Sequence, residues 1–188
     1  MRRVAMLCSI SLLFAVSPAI AQEAPSQVGA VNAAPGAMTG QAFAESVMGS
    51  DMFEIESGRL AAEQAVSPDL RRFGEQMVDD HSRMTAHLRA VLDRMITGQY
   101  VTPPPKLDPR HMEMYNLLEA SHGRAFDSVY LRQQLMAHRE AVAVLQGYVA
   151  NGREQPLREF AEYSLPLVRH HLAMLRQIRS ENAEAAMR

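Results

Sequence analysis

The sequence predicts an all-α fold, an up-and-down bundle of four long helices. Apolar residues recur at helical spacing in four long segments between residues 41 and 178, and residues that stop a helix separate these segments. β-Branched residues are few and nowhere alternate with polar ones, as they would in half-buried strands. Amphipathic helices of this length bury their apolar stripes by packing against one another, so a four-helix bundle with a single core is expected.

The first helix is predicted from about Gln41 to Ala65. Its inward stripe consists of Phe43, Val47, Ser50, Glu54, Gly58, Ala61 and Ala65. The sequence Ser67-Pro68-Asp69 then provides an N-cap, a first-turn proline and a carboxylate that the helix dipole favours. A second helix is therefore predicted from this point to about Ile96. Its stripe consists of Leu70, Phe73, Met77, either Asp80 or His81, Met84, Leu88, Val91 and Met95.

The three prolines at 103–105 cannot continue a helix, because proline lacks the backbone donor. They predict a stiff crossover, followed by a short extra helix from about Pro109 to Ala120. The third long helix is expected from about Arg124 to Ala150, where Asn151-Gly152 supplies the stop signal. Its stripe consists of Asp127, Leu131, Leu135, His138, Val142, Leu145 and Val149.

The fourth long helix begins at about Pro156 and closes the bundle domain, which is predicted to span residues 41–181. Its stripe consists of Leu157, Phe160, Ser164, Leu167, His171, Leu175 and Ile178. Pro166 lies inside this helix and is expected to bend it locally. Residues 182–188 are predicted to form a tail.

The first 21 residues have the features of a secretory signal peptide. Arg2 and Arg3 precede an apolar run from Val4 to Val16, and small residues at the positions that a signal peptidase reads predict cleavage after Ala21. The run is shorter than the roughly 20 residues that a membrane-spanning helix needs. A periplasmic or secreted location, with no transmembrane segment in the mature chain, is therefore expected.

Residues 22–40 are rich in alanine, proline, glycine and serine and are predicted to be a flexible leader. The one cysteine, Cys8, lies inside the signal peptide, so the mature chain must draw its stability from its core. Cleavage of the signal peptide removes Arg2 and Arg3, which are two of the 19 basic residues, while all 21 acidic residues remain. The mature chain therefore has a net charge near −4. No basic face is present, and nucleic acid is therefore not an expected partner.

Three histidines, His81, His138 and His171, each replace an apolar residue in the inward stripe of a different helix. Glu54 has the same kind of position in the remaining helix. Each group is near the middle of its helix, and mid-helix positions of an up-and-down bundle lie at one level. Because burial of an unsatisfied polar group costs a few kcal/mol, these side chains must find partners. The pattern predicts a polar cluster at the centre of the core.

A cluster of this composition is a candidate metal site. Neutral imidazole is a good ligand for transition metals, and a carboxylate completes a typical mixed shell. Glu54 is the best carboxylate candidate, and Asp80, which adjoins His81, could be a ligand or could orient that ring. The predicted site thus comprises Glu54, Asp80, His81, His138 and His171, with one divalent transition metal (zinc, iron, manganese or copper). The alternative is a metal-free polar network that only fixes helix register.

Other polar residues receive simpler interpretations. Asp127 lies three turns from His138 on the same stripe and is expected to cap or bridge near the end of the bundle. Glu56 points about 200° away from Glu54 on the helix and is expected at the rim. The remaining histidines are expected to be exposed or near helix ends; they are His87, His111, His122 and His170.

A family resemblance rests on several spaced motifs. They are Phe53-Glu54-Ile55-Glu56 with Leu60-Ala61, Met77-Val78-Asp79-Asp80-His81, Ala125-Phe126-Asp127 with Tyr130, His138, and Leu165-Pro166 with His171-Leu172. Over about Phe43 to Ile178 the chain resembles the ferritin-like family numbered 4142 among domains of unknown function. The resemblance implies an exported bacterial protein with a ferritin-like four-helix fold, often described as a membrane or outer-membrane protein. It implies no established activity. Its motifs pick out the same five candidate site residues.

The chemistry of di-iron bundles is not expected here. Such bundles place a glutamate three residues before the ligand histidine on two helices, whereas Val78, Leu135 and Val168 occupy those positions. A mononuclear site fits better. The sequence also has no c-type haem motif, phosphate-binding loop or nucleophile elbow, and we predict no catalytic residue.

Three functions are compatible with the sequence. The first is a periplasmic metal-binding bundle, and its alternative is a non-catalytic envelope or stress-related interaction protein whose polar cluster only fixes helix packing. An envelope protein is then a possible partner. The third, proton transfer by a pair of His81 and Asp80, requires a cleft that reaches the centre of the bundle.

Overall fold

A computed structural model describes residues 38–95, 100–104 and 106–187. Within these ranges the chain forms five α-helices and no strand, which confirms the predicted all-α class. The helices are α1 (Gly40–Gln64), α2 (Pro68–Arg94), α3 (Pro109–Glu119), α4 (Gly123–Asn151) and α5 (Gln155–Ala186). The predicted signal peptide and most of the predicted leader lie outside the described residues.

Three helices begin at side-chain caps. Thr39 accepts a hydrogen bond from the Ala42 amide at the start of α1, and Ser67 accepts one from the Leu70 amide at the start of α2. Asp108 caps α3 in the same way. These contacts satisfy amides that have no partner within the helix. The predicted N-cap at Ser67 is confirmed.

The last helix is longer than expected. α5 continues to Ala186, past the predicted end at residue 181, because the terminal segment is rich in alanine and glutamate, which favour helix. It is also continuous through Pro166, so the Glu162 carbonyl has no amide donor one turn later.

The apolar core has two parts that belong to opposite ends of the bundle. One contains the start of α1, the end of α2, the end of α4 and the start of α5, and includes Phe43, Leu88 and Phe160. The other contains the opposite ends of the same helices and includes Phe73, Phe126 and Leu175. Buried polar residues of all four long helices lie at the level between these two parts.

Two glycines bring α1 and α2 into direct contact. A methyl group at Gly58 would lie 2.7 Å from the Gly74 carbonyl oxygen, and one at Gly74 would lie 2.6 Å from the Gly58 carbonyl oxygen. Real Cβ atoms do not come so near to a carbonyl oxygen, so the two backbones can approach this closely only without side chains. The close crossing lets short side chains bridge α1 and α2 at the neighbouring level.

Asp127 joins α4 to the turn between α1 and α2. Its two carboxylate oxygens accept hydrogen bonds from the amides of Val66 and Ser67, at 2.9 and 2.8 Å. This contact confirms the prediction that Asp127 bridges near the end of the bundle. Among the described residues, no helix combines the length and the apolar character needed to cross a bilayer.

Candidate metal centre

Three histidines from three helices meet in the middle of the bundle. His81 of α2, His138 of α4 and His171 of α5 are at most 2% exposed. One ring nitrogen of each lies within 4.8 Å of those of the other two. The predicted central histidine cluster is therefore present, and each ring has one nitrogen held by an oxygen acceptor.

The acceptor at His81 is a carboxylate on the neighbouring helix. Nδ1 of His81 lies 2.8 Å from Oδ1 of Asp51, which is fully buried. The other carboxylate oxygen accepts a hydrogen bond from the Thr85 hydroxyl at 2.9 Å. Asp51 is thus fixed at both oxygens and holds the His81 ring in one orientation.

The acceptor at His138 is part of its own helix. Nδ1 of His138 lies 3.0 Å from the backbone carbonyl oxygen of Gln134, one turn earlier. The amide side chain of Gln134 reaches across to α1 and donates to the Ser57 hydroxyl at 3.1 Å. The backbone of Gln134 therefore helps to fix the His138 ring, and its side chain joins α4 to α1.

The acceptor at His171 corrects one prediction. Asp80 was predicted to bind a metal or to orient its sequence neighbour His81, but the ring that it contacts is that of His171, with Oδ2 3.0 Å from Nε2. Consecutive residues of a helix point in directions about 100° apart, so Asp80 and His81 cannot share a face. Asp80 instead lies on the α5 side of α2, where Gln76 and Arg83 also donate to it.

The opposite nitrogen of each ring is buried and has no hydrogen-bond partner in the part of the chain that the structure describes. These atoms are Nε2 of His81, Nε2 of His138 and Nδ1 of His171. In a neutral imidazole one nitrogen carries the proton and the other carries a lone pair. In the neutral form of each ring the held nitrogen donates to its oxygen and the unpartnered nitrogen has the lone pair, which is the form that binds a metal. A metal must therefore displace the proton that Asp51 favours on His81.

Glu54 of α1 lies beside the histidines and is also buried. Its Oε1 is 3.7 Å from Nδ1 of His138, and its Oε2 has no hydrogen-bond partner. Burial raises the pKa of Glu54 to about 7, against the opposing charge of His81 and a hydrogen bond from Gln134. Glu54 thus borders the cluster on the side of His138 that contacts Gln134, while the three histidines alone form the group whose ligand atoms lie within 4.8 Å of one another.

The three rings differ in their affinity for a proton. Burial, together with the charge of His81, lowers the pKa of His171 to about 4, even though Asp80 opposes this. Burial and repulsion from the other two rings lower the pKa of His138 well below its usual value. Burial also opposes a charge on His81, but the hydrogen bond and the charge of Asp51 outweigh it and raise the pKa of that ring. His138 and His171 are therefore neutral at pH 7.

The donor set fits a single transition-metal ion. A zinc–nitrogen bond is about 2.0–2.1 Å long, so two nitrogen ligands of one tetrahedral ion are about 3.3 Å apart. Nitrogens within 4.8 Å of each other need inward movements of less than about 1 Å to reach this span. Neutral imidazoles with a nearby carboxylate are suitable ligands, and Asp51 and Asp80 supply the outer hydrogen bonds that orient such ligands.

Asp51 is the functional residue that the sequence analysis missed. It lies four residues after Val47 and three before Glu54, which is the spacing of residues on one helical face. This spacing could have indicated that Asp51 lies on the buried face of the first helix. The predicted stripe instead passed through the adjacent Ser50, which is only half-buried.

The other histidines lie away from the centre. His122 and His170 are exposed, and His87 is half-buried beside Phe160 and Tyr163. His111 lies in the first turn of α3, as expected for a residue near a helix end, but its side chain is only 12% exposed. Glu56 is partly exposed and pairs with Arg59, as a rim residue would.

Comparisons with known proteins support the fold and the family. The family described as DUF4142, a domain of unknown function, matches residues 25–178. Among solved structures, a DUF305 protein from Streptomyces coelicolor is 13% identical, with a TM-score of 0.62, and the match covers 77% of this chain and 94% of that one. At this identity the likeness shows the fold alone, a ferritin-like helical bundle. The comparison with curated proteins gives no significant match.

Proposed function

The chain belongs to the DUF4142 family, a domain of unknown function, and from its central site we propose that the protein binds one divalent transition-metal ion. His81, His138 and His171 provide three nitrogen ligands, and Glu54, whose Oε1 lies 3.7 Å from Nδ1 of His138, is the proposed carboxylate ligand. One observation carries the proposal: three buried histidines from three helices each place a ring nitrogen within 4.8 Å of the other two, and an oxygen acceptor contacts one nitrogen of each ring.

A role in helix packing alone accounts for this arrangement less well. A buried polar atom without a partner costs about 1–3 kcal/mol, and the cluster contains three such nitrogens and one such carboxylate oxygen. Residues that only fix helix register could pair with one another and avoid that cost. A bound ion satisfies all three nitrogens at once.

The donor set also restricts the ion. Imidazole nitrogen suits zinc, copper and iron, whereas manganese prefers a shell made mostly of oxygen. We therefore propose zinc, copper or iron ahead of manganese. One carboxylate beside three imidazoles supports a mononuclear site, in keeping with Val78, Leu135 and Val168 at the positions where di-iron bundles have glutamate.

Elemental analysis of the untagged protein tests the proposal. We expect about one equivalent of a transition metal per chain, and its addition to chelator-treated protein should raise Tm. Ligand at 100 times its Kd stabilises a fold by about 2.7 kcal/mol, which corresponds to a rise of roughly 5–10 °C for a domain of this size. Absence of stoichiometric metal, with no rise in Tm for zinc, copper, iron or manganese, would reject the proposal and favour the packing role.

A pair of variants sharpens the experiment. His138→Gln removes one proposed ligand and should abolish stoichiometric binding. His170→Gln is the matched control, because His170 adjoins His171 in sequence but is exposed on the outside of α5. Equal metal content in the two variants would contradict the assignment of the ligands.

We also infer that the protein acts outside the cytoplasm, as a periplasmic or secreted protein. Support comes from the sequence: the paired arginines, the short apolar run and the small residues that end at Ala21. The intact mass of the protein from an extracellular or periplasmic fraction should correspond to a chain that starts at Gln22. A full-length mass in the cytoplasmic fraction would overturn this inference.

A further inference from the structure

A partly open cavity lies between α1, α2, α3 and α4, and none of the three histidines of the central cluster lines it. Its volume is about 200 Å³. Its apolar wall consists of Val47, Met84, Ala137, Ala141, Val144 and Leu145. An apolar cavity of about 150 Å³ is large enough for benzene, so this one can accept a ligand of single-ring size.

One histidine on its polar side is fixed in place. Both the backbone amide and Nδ1 of His111 contact the carboxylate of Asp108, and the imidazole stacks on Phe53 with ring centroids 5.1 Å apart. In the neutral ring Nδ1 donates to Asp108, so Nε2 is an acceptor. His111 lines the cavity and its side chain is 12% exposed, and among the described residues Nε2 makes no hydrogen bond.

The other polar groups of the cavity are the hydroxyls of Ser46 and Ser50 and charged side chains that already have partners. Arg110, at the mouth, makes two hydrogen bonds to the carboxylate of Glu140, at 2.7 and 2.8 Å. At the inner end Asp51 is buried and already bound to His81 and Thr85. The cavity is therefore rich in acceptors and bordered by carboxylates, which favours a ligand that donates a hydrogen bond and disfavours an anion.

We propose that this cavity is a binding site for a small molecule with an apolar body of single-ring size and one hydrogen-bond donor. The apolar body packs between Val47, Met84 and Leu145, and the donor bonds to Nε2 of His111. The proposal does not require a metal at the central site, because none of the three histidines of the cluster lines the cavity, although Asp51 at its inner end contacts His81.

Three probes of similar size test the ligand chemistry: phenol, toluene and benzoate. Titration of each into isotope-labelled protein, with chelator and again with zinc, reports binding through amide chemical shifts. Phenol should bind with a Kd on the order of 1 mM and shift the amides around Val47, His111 and Leu145. Toluene should bind several times more weakly, and benzoate should not bind. No shift with phenol, or equal binding of benzoate, would overturn the proposal.

Two kinds of variant separate a specific site from non-specific binding. His111→Phe keeps a ring against Phe53 but removes the acceptor. It should weaken the binding of phenol about fivefold to tenfold and leave the binding of toluene unchanged. Ala141→Leu should fill the cavity and abolish phenol binding. Its control is Ala143→Leu, at an exposed position of the same helix, which should bind phenol as the wild type does. Unchanged binding of phenol by both His111→Phe and Ala141→Leu would overturn the proposal.

Discussion

Oδ1 of Asp51 lies 2.8 Å from Nδ1 of His81, and neither side chain is more than 2% exposed. The contact links the two helices that cross at Gly58 and Gly74. It holds one side of the imidazole and leaves Nε2 for the centre of the bundle. A carboxylate behind a histidine in this way sets the tautomer and raises the basicity of the other nitrogen.

Asp51→Asn should weaken metal binding without abolishing it. Loss of the carboxylate removes the charge that supports His81, and changes to such outer partners typically cost 10–100-fold in metal affinity. Competition with a chelator of known affinity measures the effect. Asp79→Asn is the control, because Asp79 is exposed and pairs only with Arg83. An Asp51→Asn protein with wild-type affinity would contradict the role of this carboxylate.

His138→Leu should have opposite effects on stability with and without metal. Without metal it removes a buried nitrogen that has no partner, so we expect the free energy of unfolding to rise by about 1 kcal/mol. With metal the wild type gains stability from the ion and the variant does not. Urea denaturation in chelator and in excess zinc measures both values. A variant that is destabilised in both conditions would indicate that His138 is a packing residue.

Glu54→Gln should change how the stability of the metal-free protein depends on pH. The pKa of Glu54 is raised from 4.5 to about 7 in the folded state, so its favourable contribution is complete below about pH 4.5 and is lost as the pH rises through 7. Glutamine does not titrate. Relative to the variant, the wild type should therefore lose roughly 3 kcal/mol between pH 4.5 and a pH above 7.

Denaturation of both proteins across this pH range, in the presence of chelator, gives the difference directly. The wild type must be compared with the variant because His171 titrates in the same pH range with the opposite effect on stability. Its lowered pKa makes the folded protein less stable as the pH falls from 6.5 towards 4. A pH-independent difference between wild type and variant would show that Glu54 does not titrate abnormally.

Gly58→Ala and Gly74→Ala should each destabilise the fold by about 1–3 kcal/mol, because the new methyl group would meet a backbone carbonyl of the facing helix. Gly147→Ala is the matched control, since a methyl group there meets no atom within 4 Å. In an exposed helical position this change should stabilise by about 0.5–1 kcal/mol. Thermal denaturation of the three variants compares them, and a neutral Gly58→Ala would contradict the close crossing.

The sequence was sufficient to predict the fold and the meeting of the three histidines. Apolar periodicity sets the length and the buried face of each long helix, and a histidine in an otherwise apolar stripe is visible without coordinates. The shared level of His81, His138 and His171 followed from the up-and-down topology, in which the middle of every helix meets the middle of the others.

The partners of the histidines were harder to predict, because they depend on the rotation of each helix. Periodicity defines a buried face only to within one residue, or about 100°, and so Ser50 was chosen where Asp51 is buried. The same ambiguity led to Asp80 being paired with its neighbour and not with His171. The position of α3, which brings His111 to a cavity wall, depends on tertiary contacts that no local pattern records.

The chain segments that meet at the centre are distant along the sequence, and Asp80 and His171 are 91 positions apart. An ion bound by three histidines would join α2, α4 and α5 at one point, as a cross-link does, in a domain whose described residues contain no cysteine. Such a metal-mediated cross-link forms only once the helices have assembled. Its removal should therefore accelerate the cooperative opening of the whole bundle, with little effect on the fraying of individual helix ends.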